Sequence, residues 1–164
     1  MEPVLHSFAY AVGFLREQVA DVGAAEMVAQ PKGFIHHPAW VIGHLTVTCQ
    51  QLGGAIGLAP WLSEASIRRF GTGSVPVSDT SAYEPKDQAL ATLTDAQQRL
   101  DAAIRVMEPV RLEAPSPDPA LRDVFPTIRH ALTQVLVGHA AYHIGQVAVW
   151  RRAMGLPAMR RSFE

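Results

Sequence analysis

The chain has 164 residues, of which 48% are hydrophobic and 18% charged, a balance typical of a folded globular protein and unlike that of a disordered one. Fourteen Lys and Arg against fifteen Asp and Glu give a formal net charge of -1, and no apolar run approaches the roughly 20 residues that span a bilayer. We therefore expect a single domain over residues 1–164 that binds neither nucleic acids nor membranes.

The first half of the chain predicts two amphipathic helices. Apolar residues recur every three or four positions over residues 4–19, including Val4, Phe8 and Leu15, which indicates helix one. Residues 21–38 carry Gly and Pro and are typical of a connection, with a short helical turn at residues 24–28. Pro38 then suits the first position of helix two, which we predict over residues 39–56.

The second half predicts two further helices and two long loops. A brief helical piece at residues 61–70 precedes a Gly-, Ser- and Pro-rich loop at 71–85. Helix three presents one apolar face over residues 89–107 and ends at Pro109, and a second loop follows at 114–119. Helix four is predicted over residues 126–154, ended by Gly155 and Pro157. Four principal helices without strands indicate an all-α four-helix bundle whose long connections argue against a simple up-down-up-down order.

Three histidines fall on inward-facing helical positions. His139 and His143 are four residues apart in helix four, so both lie on one face, about 6 Å apart along the axis. Their stripe continues through apolar positions such as Leu136, and a buried imidazole needs a partner for each nitrogen. Hydrogen bonds to the backbone are the alternative explanation for that pair. His44, in the middle of helix two, favours instead a site in which three histidines bind a metal ion and leave a position open.

The remaining histidines and the single cysteine occupy other positions. His130 lies near the opposite side of helix four, His36 and His37 precede a helix start, and His6 lies on another face of helix one, so surface or capping roles are expected. Cys49, rotated about 140° from His44, is interpreted as a small core residue. One cysteine and the lack of a secretory signal pattern predict a reducing cytoplasm.

Two short motifs carry a resemblance to the DinB/YfiT-like superfamily of metalloproteins. That family recurrently has Gly-His-Leu in helix two and His-x-x-x-His-x-Gly-Gln in its last helix. The matching residues here are Trp40, Gly43-His44-Leu45, His139, His143 and Gly145-Gln146, followed by Arg152 and Gly155. The resemblance implies an up-down-down-up four-helix bundle, a metal ion bound by His44, His139 and His143, and a homodimer.

The resemblance leaves the reaction open. Similar proteins include S-transferases that use bacillithiol or related low-molecular-weight thiols, a mycothiol-dependent isomerase, and proteins described only as metal-dependent hydrolases. We favour transfer of a thiol to a small electrophile; hydrolysis and a non-catalytic, stress-associated metal-binding bundle are the alternatives. Zinc and nickel are the ions expected first, although imidazoles also suit copper and iron.

The sequence does not select a general base. Glu17, Asp21, Glu84 and Asp87 are all candidates, and none is placed by its spacing from the histidines. We expect the substrate pocket to be framed by helix two, helix four and the loop at residues 71–85.

Overall fold

Helices account for all the regular structure in residues 1–159, which are the residues described by the computed structural model. The α-helices are α1 (Glu2–Gln18), α2 (Pro38–Ala55), α3 (Glu64–Phe70), α4 (Lys86–Arg105), α5 (Pro109–Leu112), α6 (Ile128–Thr133) and α7 (Ala140–Ala153). A π-helical segment, Gln134–His139, joins α6 to α7. Short 3-10 turns occupy parts of the connections, and the described residues contain one isolated β-bridge and no strand.

The buried side chains explain how these helices form one core. In α1 and α4 they recur every three or four residues, as Leu5, Phe8 and Val12 show, so each helix buries one stripe. Helix α2 is buried on nearly every side, which makes it the centre of the packing. It contacts α4 and α7, while α1 contacts α4, α7 and the π-helical segment. The all-α class predicted from the sequence is confirmed; the up-down-down-up order of the helices stays a prediction.

The last long helix is wider than an α-helix in its middle. Backbone dihedrals stay helical from α6 through the π-helical segment into α7, so the three pieces form one continuous helix. Its buried residues include Ile128, Leu132, Leu136, Ala140 and Ile144, a strict step of four. An α-helix has 3.6 residues per turn and would drift off this stripe, whereas a π turn accommodates an extra residue. His139 and His143 consequently lie beside the buried stripe, facing α2.

The predicted elements agree closely with the observed ones. Each of the four long helices is found within a few residues of its predicted bounds. The brief helical piece expected at residues 61–70 is α3. The turn expected at residues 24–28 is the 3-10 turn Glu26–Val28. Helix α5 was not predicted. Across residues 1–159, no helix is both long enough and apolar enough to cross a bilayer.

Candidate metal centre

His44, His139 and His143 converge at the contact between α2 and the last long helix. His44 lies in the middle of α2 and His143 in the first turn of α7; both are buried, and His139 is half-buried at the end of the π-helical segment. One ring nitrogen from each histidine lies within 4.8 Å of the other two. The structure thus brings together the three residues that the sequence predicted as ligands.

Two distances between their Nε2 atoms fit a shared ion. Nε2 of His139 lies 3.2 Å from Nε2 of His44 and 3.1 Å from Nε2 of His143. With metal–nitrogen bonds of 2.0–2.1 Å, two ligands at tetrahedral or right angles stand about 2.8–3.4 Å apart. Both observed distances fall inside that interval.

Hydrogen bonds at the opposite ring nitrogens direct lone pairs toward this point. Nδ1 of His44 donates to the carbonyl oxygen of Phe70 at 2.7 Å, and Nδ1 of His143 donates to Oε1 of Gln146 at 2.9 Å. A neutral imidazole that donates through Nδ1 carries its lone pair on Nε2. Two acceptor nitrogens therefore face Nε2 of His139, and one proton on that atom can satisfy only one of them. A cation satisfies all three.

His139 is fixed less firmly than the other two. Its Nδ1 is buried and has no hydrogen-bond partner among the described residues. Metal-binding histidines usually donate this second N–H to a carbonyl or carboxylate, which sets the ring orientation. The orientation of His139 depends instead on packing, with its ring centroid 4.5 Å from that of His143 and 5.1 Å from that of His44.

Burial keeps these imidazoles neutral. Desolvation lowers the pKa of His44 and of His139, and it lowers the pKa of His143 to about 4, helped by repulsion from His44 and His139. All three pKa values lie below the ordinary value for histidine, so the neutral form dominates at pH 7. Neutral imidazole is the form that binds a metal ion.

Aromatic side chains form a wall beside the three histidines. The indole of Trp40 stacks on His44 with 4.6 Å between ring centroids, and His36 stacks on the other face of that indole at 4.4 Å. The Trp40 Nε1 donates to Oγ of Ser74 at 3.0 Å. The loop at residues 71–85 therefore contacts the residue that stacks on His44; the substrate pocket expected there stays a prediction. Tyr142 meets His143 edge-on at 5.0 Å.

The other histidines and Cys49 occupy the positions expected of them, with one addition. His6 and His130 are exposed, and Nδ1 of His37 accepts from the backbone N–H of Trp40 at 3.3 Å, which is the predicted helix cap. Cys49 is buried in the core, and burial raises the pKa of its thiol to about 12. His36 is the residue that sequence reasoning missed: its ring lies 6.0 Å from that of His143. No spacing rule places a loop residue.

The four candidate bases differ in their surroundings. Asp21 pairs with Arg151 at 2.5 Å, and Glu84 lines a cavity whose wall includes none of the three histidines. Glu17 is exposed on α1 and Asp87 on α4. The choice among them stays open.

Close packing behind His44 ties α2 to α3. A Cβ placed on Gly43 would overlap the ring of Phe70, so only glycine lets that ring lie against the helix. The carbonyl of the same Phe70 holds the ring of His44. The Gly-His pair is therefore explained by geometry: one residue makes room for Phe70 and the next is oriented by it.

Comparison with known proteins identifies one family. The family model described as the DinB superfamily matches residues 14–147, which includes all three histidines. No curated protein and no solved structure gives a significant match to this chain.

Proposed function

The chain belongs to the DinB superfamily, and from this premise we propose that it is a metalloenzyme in which His44, His139 and His143 hold one divalent ion. The observation that carries the proposal is the convergence of three Nε2 atoms, two of them with lone pairs fixed by hydrogen bonds on the far side of the ring. Zinc and nickel suit three neutral imidazoles. Only these three potential ligands cluster in the described part of the chain, which favours a site with room for a substrate atom.

We further propose that the substrate is a low-molecular-weight thiol that is transferred to an electrophile. A divalent ion bound to the three histidines would supply Lewis-acid activation, lowering the pKa of a thiol. Thiols already have a pKa near 8.5, so their ionisation needs little further help, whereas water starts from 15.7. Within residues 1–159, the hydrogen bonds and ring contacts of these histidines involve no carboxylate, the usual base for a hydrolytic water. This supports transfer over hydrolysis.

The reaction balances without an oxidant. The sulfur electron pair forms a C–S bond to the electrophile, and the thiol proton passes to solvent. Where the acceptor is a chlorinated aromatic ring, chloride leaves with the electron pair of the broken C–Cl bond.

A thiol screen tests the transferase proposal. Protein purified without an affinity tag and loaded with zinc or nickel is incubated with a panel of low-molecular-weight thiols and a chlorinated aromatic acceptor, and chloride release is followed. We expect turnover that His139→Ala abolishes and His130→Ala preserves, since His130 is exposed and its Nδ1 bonds to Oγ1 of Thr127, away from the three histidines. Absence of metal-dependent turnover with every thiol contradicts the proposal, and turnover of ester or amide substrates would instead assign hydrolysis.

We also propose a homodimer, as the family resemblance implies. Exposed positions on the last helix follow a step of four through Val137, Ala141, Gly145 and Val149, beside α1. These side chains are apolar or small, which supports close helix packing between two copies. Sedimentation of Val149→Lys against the unmodified chain tests the proposal: a dimer that this charge dissociates supports it, and a monomer at every concentration contradicts it.

A further inference from the structure

A cavity lined by Phe70, but not by His44, lies outside the metal centre. It has a volume of about 190 Å³ and lies between α2, α3 and the start of α4. Its apolar wall includes Ile42, Val47, Phe70 and Ala89, and its lining contains none of the three histidines. An apolar protein cavity of about 150 Å³ is enough to hold benzene. The space therefore suits a group the size of one aromatic ring.

The lining of this cavity includes a cation without a direct ionic partner. The guanidinium of Arg69, in the last turn of α3, makes no ion pair or hydrogen bond within residues 1–159 and lies 5.9 Å from the centroid of the Tyr83 ring. Arg69 and Tyr83 also line a second, neighbouring cavity of about 430 Å³. Arg68, the preceding residue of the helix, is instead paired with Glu64 at 3.2 Å. The charge of Arg69 helps to lower the pKa of Asp79, but no carboxylate is in direct contact with the guanidinium within residues 1–159, so its hydrogen-bond donors are available to a ligand.

A carboxylate in the lining of the same cavity restricts which anions can bind there. Glu84 lines the same cavity, and its Oε2 accepts from Oγ1 of Thr92 at 3.4 Å. The cavity thus holds one positive and one negative side chain. A ligand with a single negative charge can meet Arg69 while its apolar body separates it from Glu84, whereas a second negative charge would be repelled.

The geometry points to a second binding site, separate from the metal centre, for a monoanionic carboxylic acid with an apolar body of about one ring. The carboxylate forms a bidentate salt bridge with the guanidinium of Arg69, and the ring enters the cavity between α2 and α4. The bound acid packs on the side chain of Phe70, whose carbonyl orients His44. This places the ligand next to the metal centre without contact to the three histidines. The site does not depend on the proposed transferase activity.

Calorimetric titration with benzoate tests this site. The metal-loaded protein is compared with Arg69→Leu and with the matched control Arg68→Leu, which removes the same charge from the neighbouring position of the same exposed helix. We expect Arg69→Leu to weaken benzoate binding about tenfold or more, because a hydrogen-bonded charge is lost, and Arg68→Leu to change it less than about threefold. Equal affinities in Arg69→Leu and the unmodified protein overturn the proposal, as does the absence of measurable binding.

Further titrations test whether benzoate binds independently of the metal ion and whether the site selects ligands by charge. Benzoate should bind equally well after the metal is removed with a chelator; loss of binding would place benzoate on the metal and overturn the proposal. Phthalate, a dianion with the same ring, should bind more weakly than benzoate, and Glu84→Gln should narrow that difference. Stronger binding of phthalate than of benzoate, or equal binding of neutral benzyl alcohol, contradicts the assigned ligand class. Circular dichroism verifies that each variant is folded.

Discussion

The imidazole of His44 is held by the backbone of Phe70, through a 2.7 Å hydrogen bond from Nδ1 to the carbonyl oxygen. The bond crosses from α2 to the last residue of α3, so the orientation of a candidate metal ligand depends on how these two helices pack. Gly43 sets that packing, because the Phe70 ring occupies the space where any other residue would carry its Cβ.

Replacing Gly43 with alanine should weaken metal binding without removing a ligand. The new methyl group displaces the Phe70 ring, and with it the carbonyl that fixes His44; overpacking of this kind costs about 1–3 kcal/mol of folding free energy. Loss of an orienting hydrogen bond lowers metal affinity about 10- to 100-fold. Gly54→Ala is the control, since Gly54 lies in the same helix with no atom within 4 Å of the added Cβ. Unchanged metal affinity in Gly43→Ala would show that Phe70 does not position His44.

The three histidines should be necessary for metal retention. His44→Ala and His143→Ala each remove one of three ligands, and we expect metal content measured by mass spectrometry on untagged protein to fall from about one ion per chain to background. His6→Ala and His130→Ala serve as controls because both residues are exposed. Full metal content in both single variants, His44→Ala and His143→Ala, would show that the ion is bound elsewhere.

Gln146 should affect metal affinity through His143 alone. Its Oε1 accepts from Nδ1 of His143 at 2.9 Å, which fixes the tautomer that presents Nε2 to the ion. Gln146→Ala removes the acceptor and should reduce metal affinity about 10- to 100-fold in competition with a chromogenic chelator. Gln146→Glu keeps an oxygen acceptor at the same place and should retain the affinity. Equal losses in both variants would indicate a packing role instead.

The sequence predicted the histidine site because helical geometry is local. Residues four apart on a helix share a face regardless of what packs on it, so the spacing alone pairs His139 with His143, and the inward stripe of α2 adds His44. The π-helical segment could not be found this way. Its six residues contain no proline, and neither the single Gly138 nor the residue spacing predicts the wider turn of this segment, which contacts α1.

Features that depend on loops were also beyond the sequence. His36 lies beside Trp40 only because the chain before α2 folds back over the indole, and Arg69 meets Tyr83 because the loop between α3 and α4 returns to the same cavity. Loop paths follow from tertiary contacts rather than from a repeating pattern. No spacing pattern in the sequence therefore predicts that Arg69 and Glu84 line the same cavity.

Asp21 should stabilise the fold in a pH-dependent way through Arg151. The hydrogen bond from the buried Arg151 guanidinium lowers the pKa of Asp21 below its ordinary value of 3.8. A carboxylate with a lowered pKa in the folded state adds stability above pH 3.8, and that contribution is lost as the pH falls through the folded pKa. Denaturant unfolding from pH 7 to pH 2.5 should show this loss, and the loss should be smaller in Asp21→Asn.

The cost of Asp21→Asn at pH 7 should be about 1–2 kcal/mol, because Arg151 is left buried without its anion while the half-exposed Asp21 is partly screened by water. Asp95→Asn is the matched control: Asp95 pairs with Arg99 on an exposed face of α4, where such pairs contribute about 0.3–0.5 kcal/mol. If both substitutions lower the free energy of unfolding equally, the burial of Arg151 does not make the Asp21 ion pair more stabilising than an exposed one.

Cys49 should be inert in the folded protein. It lies in α2 only five residues after His44, yet it is buried in the core, and burial raises the pKa of its thiol to about 12, so almost no thiolate exists at pH 8. Iodoacetamide should therefore modify Cys49 only after unfolding, as mass spectrometry with and without denaturant would show. Cys49→Ala should retain full metal content, since this side chain is not among the clustered ligands. Rapid alkylation of the native protein, or loss of metal in Cys49→Ala, would make a thiolate part of the metal centre and contradict a site built from three imidazoles alone.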